Sequence, residues 1–103
     1  MPPIDFNGLD TAVHGPLRLG VLSALRIHGV LDFTTLKKRL ETTDGALGMH
    51  LHKLEEIGYI TCKKAFVQER PKSTYRVTAR GKQALEQYLE AMQRLIDAIE
   101  AAG

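Results

Sequence analysis

The 103-residue chain has no tryptophan and a single cysteine, Cys62. One thiol excludes an intramolecular disulfide, so the fold must hold without a covalent staple, and it suits a reducing compartment. Aromatic residues are few, three Tyr and three Phe, which leaves the core to aliphatic side chains. No run of about 18 apolar residues occurs, so no membrane-spanning helix is expected. The opening residues, Met1 to Asp5, lack the basic start and apolar stretch of a secretory signal. A cytoplasmic location is expected. Catalytic signatures are missing too: there is no nucleophile elbow and no phosphate-cradling glycine loop, and the adjacent Glu55 and Glu56 diverge on a helix. The chain reads as a non-enzyme, and no cofactor is indicated.

What is present is an uneven distribution of charge. The formal net charge is only +2, yet the segment from Lys63 to Lys82 carries Lys63, Lys64, Arg70, Lys72, Arg76, Arg80 and Lys82 against Glu69 alone. The flanking segments are mildly acidic. A cationic stretch of this kind suits a polyanionic partner.

Length and composition are those of one globular domain. Residues 1–9, with two prolines and a glycine, read as an N-terminal arm; residues 10–78 read as the core and 79–101 as a terminal helix. Asp10 can cap a short turn, and Pro16 suits the first turn of a helix over residues 15–28, ended by Gly29. A short second helix is expected over residues 33–40, with its cations at the C-terminal end where the helix dipole favours them. Thr43 or Asp44 caps a third helix, in which Leu47, Leu51 and Leu54 share one face and Gly58 ends the run. Its opposite face carries Gly45, Gly48, Met49, His52 and Lys53. Residues 59–66 and 73–78 alternate as strands, with Ile60, Cys62 and Phe66 on one face. The residues between them, 67–72, contain Pro71 and read as a mobile loop of five or six residues. In the last helix Leu85, Leu89, Met92, Ile96 and Ile99 recur at spacings of four, three, four and three, a dimerisation seam that Tyr88 and Leu95 broaden.

Helix, short helix, turn, helix, hairpin and helix is the order of a winged helix-turn-helix, mainly α with a β-hairpin wing (α+β) and here with a long C-terminal dimerisation helix. The segments Asp44–Ile60 (DGALGMHLHKLEEIGYI) and Arg70–Gly81 (RPKSTYRVTARG) resemble the recognition helix and wing of bacterial regulators. Over about residues 9–95 the chain resembles the small winged helix DNA-binding domain family, related to the MarR-type and ArsR-type transcriptional regulators. The resemblance implies double-stranded DNA as partner and transcription regulation, with a homodimeric repressor as the expected form. Thr43, Asp44, Gly45, Gly48, Met49, His52 and Lys53 would line the major groove, and Lys63, Lys64, Arg70, Lys72 and Arg76 would meet phosphate or the minor groove. The family usually has a polar residue where Ala46 stands and serine where Gly48 stands. Those departures shift weight to Thr43, His52, Lys53, the wing and DNA shape.

His50 and His52 are two apart on a helix and cannot chelate one ion together; no metal site is expected, and both are placed beside DNA or solvent. Nothing indicates a small-molecule effector, although the junction of first and last helices in a dimer is where one would fit. The alternative to a DNA-binding regulator is a winged-helix adaptor, its terminal helix on a partner's helix and its basic wing on an acidic protein.

Overall fold

The computed structural model describes residues 9–103; the expected arm lies, but for Leu9, outside the described residues. Leu9 packs against the core. Asp10 then closes a turn as expected: its carboxylate accepts the Ala12 N–H at 2.9 Å and its carbonyl accepts the N–H groups of Val13 and His14. The elements that follow are α1 (Pro16–His28), β1 (Val30–Asp32), α2 (Phe33–Arg39), α3 (Asp44–Ile57), β2 (Ile60–Val67), β3 (Arg70–Val77) and α4 (Ala79–Ala101).

Side-chain caps set three of the four helix starts. The Asp32 carboxylate accepts the Thr35 N–H at 2.8 Å, Thr43 accepts that of Ala46 at 3.2 Å, and Thr78 accepts that of Gly81 at 3.0 Å. Each satisfies a donor that the helix itself leaves orphaned. Pro16 opens α1, and Gly58, left-handed at φ 93°, ends α3. Leu22 and Leu25 of α1, Leu36 of α2 and Leu47 and Leu54 of α3 are fully buried against Ile60, Leu85 and Tyr88. Among the described residues no charged side chain is buried.

The sheet has a strand that hydrophobic pattern does not reveal. β1 is three residues long and pairs antiparallel with β3, giving the order β1-β3-β2. Leu31, Tyr75 and Cys62 form one rung across all three strands. Burial, with the Cys62 thiol beside it, pushes the Tyr75 phenol up to about 12.

The wing corrects two expectations. Residues 67–72 are not a long mobile loop: β2 and β3 pair as far as Val67 opposite Arg70, and only Gln68 and Glu69 turn the chain. Both have positive φ, 52° and 63°, as a two-residue hairpin turn requires, although neither is Gly, Asn or Asp. Pro71 is accommodated because β1 extends along β3 only between Thr74 and Arg76, so the other edge of β3 is open there. Phe66 does share a face with Ile60 and Cys62, but it lies beyond the core and is 79% exposed.

The wing, α3 and α4 meet at one joint. The Tyr59 carbonyl accepts the Thr78 N–H at 2.9 Å, and the Thr78 hydroxyl donates to the Gly58 carbonyl at 2.7 Å. Gly81 crosses so close to this backbone that a Cβ there would lie 2.1 Å from the Tyr59 oxygen. A Cβ on Gly48, by contrast, meets nothing within 4 Å.

Gly81→Ala is therefore expected to destabilise the protein by about 3 kcal/mol through the forced contact. Gly48→Ala should stabilise it by roughly 1 kcal/mol through helix propensity alone. Urea denaturation of both variants checks the pair. A third prediction concerns Asp32, whose carboxyl is held below its ordinary value by hydrogen bonds from Thr35, with Lys72 adding to the effect and partial burial opposing it. A lowered folded value means the cap contributes stability above the ordinary carboxylate pKa and loses it as pH falls through the folded one. Asp32→Ala should cost about 1 kcal/mol at pH 7. The gap from wild type should close below about pH 4 in denaturation curves taken across pH.

Candidate nucleic-acid interface

The outward face of α3 is uncluttered. Gly45, Met49, His52 and Lys53 are exposed and Gly48 is half-exposed, all on the side away from Leu47, Leu51 and Leu54. Neither glycine touches other parts of the chain where a side chain would be, so the backbone of the first two turns can approach a flat surface closely. Asp44 is tied to Lys37 of α2 by an ion pair at 2.8 Å. The pair braces the turn between the two helices and offsets a carboxylate that would otherwise repel phosphate at the helix start. Thr43 is occupied as the cap of α3, which fixes its hydroxyl at the same edge.

Further along, Glu56 lies 3.8 Å from His52 and 4.0 Å from Lys53. Exposed contacts of this sort are weak, and a phosphate can draw both side chains away. His50 departs from its expected place beside DNA or solvent. It is half-buried, and its Nδ1 accepts the Arg18 Nε–H at 3.0 Å, tying α3 to α1. The end of α1 is tied to α2 by the contact of His28 Nε2 with Arg39 Nη1 at 2.9 Å.

The wing separates its residues by strand alternation. Pairing places Lys63 opposite Thr74, Ala65 opposite Lys72, Val67 opposite Arg70 and Thr61 opposite Arg76. These residues share one face, because directly opposed residues point the same way and side chains alternate along each strand. Four of the five expected wing cations thus lie on one side, and Lys64 lies on the other with Ser73, Phe66 and Pro71. Lys72 is 3.3 Å from the Asp32 carboxylate, so the residue that caps α2 also holds the wing against the helix-turn-helix. Beyond the strands, Arg80 stacks 5.8 Å from the Tyr59 ring centroid, and Tyr59 donates to Asp10.

The expected seam on α4 divides in two. Leu85 is 3% exposed and belongs to the core of its own domain, together with Tyr88 and Ala91; it is therefore removed from the dimerisation set. Met92 and Leu95 are half-buried. Leu89, Ile96 and Ile99 are 49%, 40% and 64% exposed; Leu89 lies on the outer side of the stretch that packs on the core, while Ile96 and Ile99 sit on the last turns of the 23-residue helix, where no residue is buried. The molecule is correspondingly elongated, with extents of 61 × 25 × 21 Å.

Sequence reasoning missed Asp32 and Lys37 as bracing residues and Arg18 as the partner of His50, since ion pairs between elements leave no periodic trace. It also missed Phe66 as an exposed group. Among the described residues, no three His, Cys, Asp or Glu side chains gather as metal ligands would, and no helix is long and apolar enough to cross a membrane. An open cleft of about 610 Å³ lies between the start of α2 and the wing, lined by Asp32, Phe33, Arg70 and Lys72 among others.

Comparison with known proteins agrees with this architecture. An uncharacterized protein of Methanocaldococcus jannaschii is 34% identical over 84 residues, covering 82% of this chain and 91% of the relative. A transcriptional regulator homologue from Pyrococcus horikoshii OT3 superposes with a TM-score of 0.79 at 26% identity, covering 85% of this chain and 87% of that one. Lactococcus lactis ZitR, solved in complex with DNA, shares the fold at a TM-score of 0.65 and 15% identity, with 99% of this chain and 69% of that one covered. Other neighbours described as transcriptional regulators include PcaV of Streptomyces coelicolor, at a TM-score of 0.72 and 19% identity, with 92% of this chain and 66% of that one covered. The model of the winged helix DNA-binding domain matches residues 17–96, and the chain belongs to that family.

Proposed function

We propose that this chain is a cytoplasmic transcription regulator that binds duplex DNA as a homodimer and represses by occupying its operator. The recognition helix α3 enters the major groove, and the wing meets phosphates or the minor groove alongside it. The observation that carries this reading is the single cationic face of the wing, Lys63, Arg70, Lys72 and Arg76, on a hairpin that packs directly against α3. A related fold bound to DNA in ZitR supports it. Gly45, Gly48 and Met49 offer close approach and apolar contact, while His52 and Lys53 supply the hydrogen-bonding reach.

The exposed Leu89, Ile96 and Ile99 support dimerisation. An apolar stripe at heptad spacing on a projecting helix is a liability unless covered, and a second copy of α4 covers it in kind. Two-fold pairing would set the recognition helices about 34 Å apart, one turn of DNA.

The adaptor reading has one observation in its favour: the first two turns of α3 present no long hydrogen-bonding side chain outward. Salt dependence separates the two. For the regulator, log affinity for duplex DNA falls linearly with log salt. Removing Lys63 and Arg70 together should flatten that slope by about 1.8, on roughly 0.9 per phosphate contact, and weaken binding to all sequences about equally. A wild-type slope near zero contradicts DNA as the partner. In sedimentation, wild type should run as a dimer and Ile96→Glu as a folded monomer. A monomeric wild type contradicts the α4 interface.

A further inference from the structure

Phe66 is the most exposed large apolar side chain among the described residues, at 79%, and it stands on the wing, which carries Lys63, Lys64, Arg70, Lys72 and Arg76 against Glu69 alone. Its cross-strand neighbour is Pro71, also exposed, so the wing ends in a paired apolar knob. Lys64 and Ser73 form the next rung on the same face, two residues back along each strand. The tight Gln68-Glu69 turn holds the knob in a fixed position, since both residues sit in the left-handed conformation that matches hairpin twist. We propose that Phe66 and Pro71 form an apolar wedge that enters the minor groove of bound duplex DNA and bends it at a flexible base step. The inference rests on the DNA-binding reading and adds to it a part of the wing that carries no charge.

The surrounding charge selects the occupant. Lys64 shares the face of the knob, and Lys63, Arg70 and Lys72 lie on the other face of the same narrow hairpin, a setting that favours a polyanion over a neutral apolar surface or a second, equally cationic wing. Glu69 selects the approach. It stands at the very tip, so a tip-first entry would bring a carboxylate between two rows of phosphates. With the face of Phe66 leading, Glu69 stays at the rim, and the long side chains of the other face reach past the strand edges to the backbone. Apolar side chains inserted from the minor groove partly unstack a step and kink the duplex, most easily at TA or CA steps.

The test uses the full chain and a duplex of about 30 base pairs containing TA steps, labelled at both ends for energy transfer and titrated across a salt series. Wild type is expected to shorten the end-to-end distance on binding. Phe66→Ala should bind roughly tenfold more weakly at every salt, with the slope unchanged because no cation is lost, and should leave the duplex straight. Phe66→Leu, which keeps an apolar wedge, should retain most of the bend. The side chain is exposed, so the thermal melts of both variants should match wild type. Wild-type binding without a bend, or a Phe66→Ala variant that binds and bends like wild type, overturns the wedge and leaves the DNA reading standing. A variant that changes oligomeric state instead of DNA affinity also overturns it, because the knob then docks on another copy. Failure of wild type to bind any duplex at low salt overturns the DNA reading and the wedge with it.

Discussion

The backbone of Gly58 and Tyr59 is where α3 ends and the wing begins, and both the end of the wing and the start of α4 are fastened to it. The two carbonyls accept from the hydroxyl and the N–H of Thr78, the residue that ends the wing and caps α4. Gly81 lets the first turn of α4 lie directly on the Tyr59 carbonyl. Three directions, those of α3, the hairpin and α4, are set by the same few backbone atoms. A fold of this size has little core with which to fix such angles by packing alone. One direct backbone hydrogen bond, one from the short Thr78 side chain and the close approach at Gly81 do it instead.

From that joint the molecule sends out three surfaces with different chemistry. The face of α3 is flat and nearly uncharged at its start, with the Asp44 carboxylate offset by Lys37. The wing concentrates cations on one side and places an apolar pair on the other. The end of α4 is apolar where it leaves the core. Few inter-element side-chain contacts brace these surfaces: Arg18 with His50, His28 with Arg39, Asp32 with Lys72 and Lys37 with Asp44. Each is partly exposed and weak by itself. Together they tie α1, α2, α3 and the wing pairwise, so the outward faces of α3 and the wing are held by several small contacts and one rigid joint.

Much of this could be read from the residues. Leucines at helical spacing, Pro16, the cap Thr43 and the stops at Gly29 and Gly58 are local signals, and the expected helices fall within a residue or two of those observed. The cationic segment marked the wing. What stayed hidden was tertiary. β1 is three residues long, too short for alternation to show, and exists because β3 offers it an edge. The tight turn was obscured because Gln68 and Glu69 are poor candidates for positive φ, and Pro71 read as a loop residue although its place on an open edge permits it. Leu85 fits the heptad of α4 as well as Leu89 does; only the packing of α4 on α1 decides that Leu85 is core. Phe66 alternates correctly with Ile60 and Cys62, but alternation does not report where the core stops. The outward side chains of α3 were legible by elimination, as the residues left over once the leucine face was assigned.

The measurement that bears most directly on the account is selection of bound sequences from a pool of random duplex DNA by the purified protein, followed by sequencing. The account predicts enrichment of an inverted repeat with half-sites about one helical turn apart, since one recognition helix per protomer and a two-fold pairing through α4 leave no other arrangement. Retention of DNA with no enriched sequence would contradict reading by α3, and a single unrepeated half-site would contradict the dimer.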